Sequence, residues 1–106
     1  MIKYWRRGEA IDYVNTSTDV INAMDVVDLK GRIGIAGRPI APGEMGTVHV
    51  IGVFEFSKPN GTAFALGDGV SVDPATGEAV TSGGVPAGWA IEPAAAGAES
   101  VKVKIG

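Results

Sequence analysis

Gly46-Thr47-Val48-His49-Val50-Ile51-Gly52-Val53-Phe54-Glu55-Phe56 is the stretch whose reading decides the fold. It is the longest unbroken run of strand-forming residues in the chain. Successive side chains of a strand point to opposite faces, so Val48, Val50, Phe54 and Phe56 make one apolar face. The other face carries Thr47, His49, Ile51, Val53 and Glu55, apolar in its middle and polar at its ends. A strand covered on one face and half covered on the other fits the centre of a small barrel or sandwich. Gly52 interrupts the apolar face. A lone glycine inside a strand marks a bulge, a bend or a close approach of backbone. A bend here lets one strand serve two sheets.

The chain has 106 residues, the size of one domain. Only 7% of it is aromatic against 45% hydrophobic, so Val, Ile and Ala must supply most of the core. The 16 glycines and 6 prolines punctuate short apolar runs, the pattern of short strands and tight turns. The expected fold class is all-β, a small barrel or sandwich. With 0 cysteines, disulfides and cysteine-ligated metals are excluded. No apolar run reaches the length of a membrane-spanning helix, so no membrane partner is expected. The N-terminus has bases but no apolar core after them, which points to synthesis and use in a cytoplasm.

Outward from the central run, strands are expected at Glu9–Val14, Asp25–Leu29, Arg32–Ala36, Thr62–Leu66, Gly69–Val72, Glu78–Thr81, Gly88–Glu92 and Ser100–Ile105. Asn15 to Asp19 forms a loop of side chains that bond their own backbone, or it caps a short helix. Lys58-Pro59-Asn60-Gly61 is a turn, and Asp73 to Gly77 a hairpin with glycine at the left-handed position. Shifting the chain by 54 lays Gly34, Ala36, Pro39, Ala41 and Gly43 on Gly88, Ala90, Pro93, Ala95 and Gly97, and carries Ile51-Gly52 onto Ile105-Gly106. Two similar β units, an internal two-fold repeat, are expected.

Lys3, Arg6 and Arg7 stand at the start, so the remainder holds 6 of the 9 bases against all 12 acids. Residues 1–8 are expected as a basic, aromatic arm and residues 9–106 as a single β domain. The acidic body opposes nucleic-acid binding. Catalytic material is scarce. One histidine and no cysteine leave neither a Ser-His-Asp nor a Cys-His set, and His49 reads as a semi-exposed structural residue. Asp68 and Asp73 lack the spacing of a calcium loop and read as turn residues. Gly31 to Arg38 lacks the lysine of a phosphate loop. The pairs Asp25/Asp28 and Glu92/Glu99 read as solvated strand-edge acids. No catalytic, metal or cofactor site is expected.

The order of these features resembles the small tailed-phage capsid cement, or head decoration, proteins. The resemblance runs through Glu9–Val14, Met24-Asp25-Val26-Val27, Arg32–Ala36, Ile40–Gly46, Val50–Lys58, Gly67–Val70, the Asp73–Gly77 hairpin, Ala87–Ala90 and Val101–Ile105. Members of that family are often labelled RecA/RadA-like recombinases, a label needing a nucleotide site that this sequence lacks. The resemblance implies a non-enzymatic virion protein, made in the host cytoplasm, that binds the major capsid protein on the outside of an assembled head. It implies a homotrimer at local three-fold positions. The arm, with Tyr4, Trp5, Arg6 and Arg7, is then the capsid-binding segment. The alternative is a ligand-binding or adhesion β module of a phage tail or other particle, which would present several exposed aromatics on loops.

Overall fold

The computed structural model describes residues 2–3 and 8–106 of the chain. Among these residues nine strands follow one another: β1 Ala10–Val14, β2 Val26–Asp28, β3 Ile33–Ala36, β4 Met45–His49, β5 Gly52–Ser57, β6 Gly69–Val72, β7 Ala79–Val80, β8 Val85–Ala90 and β9 Ser100–Ile105. They form two antiparallel sheets, ordered β1-β4-β3-β2 and β5-β9-β8-β6-β7. No helix occurs among the described residues. The fold is all-β and sandwich-like, with no closed barrel.

The deciding stretch is two strands, not one. The chain leaves the first sheet after His49 and enters the second at Gly52, whose φ of 144° is open to glycine and strained for other residues. The expected bend is therefore there, and it is complete enough to divide the run. β4 lies inside its sheet, whereas β5 is an edge. Val48 and Phe56 are buried as their parity requires, while Val50 and Phe54 are only partly buried. On the opposite parity Ile51 and Val53 are exposed.

The two sheets are copies of one plan. Removing β7 from the second leaves β5-β9-β8-β6, which corresponds strand for strand to β1-β4-β3-β2. The registers agree: Val27 pairs with Gly34 as Val70 pairs with Gly88, and Ala36 pairs with Val48 as Ala90 pairs with Val103. Several loop hydrogen bonds agree as well. Ile21 and Ile40 exchange backbone hydrogen bonds of 3.0 and 2.8 Å, and Phe64 and Ala94 exchange bonds of 2.9 and 2.8 Å. The Asp25 carboxylate accepts from the Asn22 N–H at 2.8 Å, as that of Asp68 accepts from the Ala65 N–H at 2.8 Å.

One buried polar side chain anchors each copy. The Asn15 amide donates to the Asp19 and Ile40 carbonyls at 2.8 and 2.9 Å. At the equivalent place the Lys58 ammonium donates to the carbonyls of Thr62 and Ala96. Buried carbonyls need such donors, and each anchor ties its loop to a second, distant loop. Asn15 also accepts from the Ser17 N–H at 3.0 Å, the local side-chain turn expected of this loop.

The offset between copies is 43 from β1 to β2, 54 at β3 and 55 at β4. The first step reflects eleven extra residues after β6, which contain the Asp73–Gly77 hairpin and β7. Gly77 there has φ 74°, as expected. The last step corrects the uniform shift of 54 expected from sequence. Val48 matches Val103, both fully buried, because a one-residue slip would turn a strand inside out. Gly34 and Gly88 match for a steric reason: a Cβ would lie 2.1 Å from Val48 Cγ1 at the first and 1.8 Å from the Lys104 carbonyl oxygen at the second.

Two other expectations change. Thr62–Leu66 is not a strand; only Phe64 bridges, to Ala94. The strand expected at Gly88–Glu92 begins at Val85 and ends at Ala90. Its early part contains Pro86, which sits opposite Ser71 beside a register shift at Val70/Ser71, where a proline is tolerated.

The cores are unequal. The larger gathers Phe56, Phe64, Val70, Val72, Val101, Val103 and Ile105 from the second unit with Ile33 and Ile35 from the first. The smaller consists of Val27, Ala36, Ile40 and Val48, with Ile11, Tyr13, Ile21, Leu29 and Val50 only partly buried around it. The outer face of the first sheet thus packs on the core face of the second.

Candidate interaction surface

The polar residues singled out from sequence are bound into local structure. Besides Asp25 and Asp68, Asp28 accepts from the Lys30 N–H at 2.7 Å and Asp73 from the Ala75 N–H at 3.0 Å. Glu92 pairs with Lys102 at 3.2 Å, both about half exposed, so the pair contributes little stability. The Glu99 carbonyl accepts from the Lys58 N–H at 3.0 Å. His49 is partly buried, its ring 6.5 Å from that of Phe54 and tilted by 40°. It fills the junction between sheets, the structural role expected of it.

What the described residues offer is apolar surface on a rigid sheet. Across the second sheet, Val53 lies opposite Lys104, Lys104 opposite Trp89, and Trp89 opposite Gly69. One row of one face therefore presents Val53 at 53% exposure, the Lys104 stem and Trp89 at 43%. Along the same face Glu55 stands opposite Lys102 and accepts from the Ser100 hydroxyl at 2.7 Å. An exposed Trp beside an exposed Val, flanked by charges, is the composition of a protein contact rather than of a solvated face. A second exposed apolar pair, Val14 opposite Met45, lies on the first sheet.

Tyr4, Trp5, Arg6 and Arg7, the capsid-binding residues expected from sequence, lie outside the described residues. The strand that follows them, β1, is an edge of its sheet. Val53 is not singled out by the sequence, and Trp89 only as a candidate aromatic for the adhesion alternative, where its place in an expected strand rather than a loop counts against it. Parity alone carried the signal: each alternates with an inward-facing neighbour, Val53 with the partly buried Phe54 and Trp89 with the buried Ala90, and so points outward.

A family model described as phage cement protein matches residues 5–105. No curated protein and no solved structure matches the chain.

Proposed function

The chain belongs to the phage cement protein family, structural components of the virion, and on that premise we propose that it binds the outer surface of an assembled head as a homotrimer and stabilises it. The match carries this reading because it spans both sheets and reaches back to Trp5, taking in most of the basic part of the arm. The partner is the major capsid protein, and the site of action is the capsid surface.

The arm is the proposed capsid-binding segment. Tyr4 and Trp5 bring large apolar area, and Arg6 and Arg7 bring forked donors suited to carboxylates. A segment of this kind docks on an acidic surface or adds a strand to an exposed sheet edge. Three arms on one trimer act together, so individually weak contacts give tight attachment through effective concentration. No catalytic step is involved.

The test is head occupancy at limiting protein. Deleting residues 1–7 should leave the fold and the trimer intact and reduce occupancy severalfold. Equal occupancy by the full-length and truncated proteins would refute the arm's role. A monomer in sedimentation, with single copies on the particle, would refute the trimer.

A further inference from the structure

The two copies of the β plan are alike in sequence position and unlike in burial, and the differences follow one rule. On the core face, Phe56, Phe64, Val72 and Ile105 of the second unit are buried. Their counterparts in the first, Tyr13, Ile21, Leu29 and Val50, are only partly buried. The first sheet covers the former; among the described residues no second sheet covers the latter. On the outer face the order reverses. Ile35 is 2% exposed because it packs on the second unit, whereas its counterpart Trp89 is 43% exposed. Ala10 is partly buried, and its counterpart Val53 is exposed.

Each chain therefore carries one satisfied contact, the outer face of unit one on the core face of unit two. It also carries the two halves of the same contact left open. We propose that copies of this protein join head to tail through those halves, the Val53–Lys104–Trp89 face of one seated on the Ile11–Tyr13–Leu29 face of the next. This rests on the trimer proposed above and assigns its interface. The existing contact is the template. Ile35 lines one groove with Phe54 and Phe56, so Trp89 meets Ile11 and Tyr13 of the neighbour. His49 stands over Phe54, so Lys104 stands over Ile11. Such a contact is heterologous, and in a closed ring every open half is used. Three chains then give a ring of six alternating units with a single type of junction.

The absence of native cysteines makes cross-linking the clean test. Under mild oxidation a Trp89→Cys/Ile11→Cys double variant should run as a covalent trimer on a non-reducing gel, and neither single variant should link. In a second arm, Trp89→Lys and Ile11→Lys should each sediment as monomers when alone, while retaining the parent's far-UV spectrum. Mixed, they should form a one-to-one dimer, because each variant keeps the half that the other has lost. Linking of Trp89→Cys to itself would indicate a symmetric contact and overturn the proposal. Linking of Ile11→Cys to Trp5→Cys within one chain would assign the face to the arm and overturn it equally. If the unmodified protein is a trimer and both lysine variants remain trimers, the interface is wrong and the trimer stands. If the unmodified protein is a monomer both in solution and on heads, the trimer itself falls.

Discussion

Phe56→Ala and Tyr13→Ala remove an aromatic ring from equivalent places in the two units, and their costs should differ. Phe56 is 5% exposed within the larger core, beneath the first sheet. Losing its ring forfeits the transfer energy and leaves a cavity that two packed sheets cannot close, about 3–5 kcal/mol. That is a large share of the stability of a domain holding roughly 5–15 kcal/mol. Tyr13 is only partly buried at the margin of the smaller core, so in dilute monomer its loss should cost about 1–2 kcal/mol, in proportion to the area covered. At roughly 4–8 °C per kcal/mol, Phe56→Ala should lower Tm by at least about 12 °C. Urea denaturation with thermal melts, at sub-micromolar and at high protein concentration, measures both variants. The cost of Tyr13→Ala should grow with concentration if the proposed assembly covers that face, because assembly then stabilises the parent more than the variant. Equal costs for the two variants in dilute monomer would refute the assignment of covered and uncovered faces.

Asn15→Leu should cost about 1–3 kcal/mol, since it removes the two bonds that a buried amide donates to the Asp19 and Ile40 carbonyls and the acceptor of the Ser17 N–H; a urea midpoint matching the parent's would contradict the anchor role. Gly88→Ala should fail to fold, because the added Cβ meets the Lys104 backbone with no flexible atom to yield, and a soluble variant with the parent's spectrum would overturn that packing. Met24 is exposed at φ 67°, where its counterpart is Gly67 at φ 88°. Met24→Gly should therefore hold or raise stability by up to about 1 kcal/mol, and a measured loss would show that the methionine is not strained. Attachment of the full-length protein to heads should fall with added salt more steeply than that of the Arg6→Ala/Arg7→Ala variant, because exposed charge pairs are screened; parallel salt curves would remove the arginines from the contact.

Much of the architecture was legible where parity was strict. β6 at Gly69–Val72 and β9 at Ser100–Ile105 were read to the residue, because apolar and polar positions alternate without a break. β8 starts three residues before the strand expected at Gly88–Glu92, and its early part was hard to read because it contains Pro86, whose place only the neighbouring register shift explains. The second half of the repeat was visible in its glycines and prolines, of which Gly34 and Gly88 are fixed by the close approach of neighbouring atoms. The first half was hidden. Ile11 and Phe54, or Asp12 and Glu55, share a role without sharing identity, and few residues match outright. The hairpin after β6 also breaks any constant offset. The exchange of Asn15 for Lys58 was beyond sequence reasoning, since an amide and a longer ammonium share one equivalent acceptor, the Asp19 or Thr62 carbonyl, and reach different ones for the second bond, Ile40 and Ala96. The exposed Val53–Trp89 row needed the register of three strands, which no single strand reveals.

The most direct test of the cement role offers the purified protein, in parallel, to assembled phage heads and to unassembled major capsid subunits, and counts the copies bound to each. The account predicts binding to heads in multiples of three, little binding to free subunits, and decorated heads that rupture at a higher temperature than bare ones. Binding to free subunits as strong as to heads, or decorated heads that rupture at the same temperature as bare ones, would contradict it.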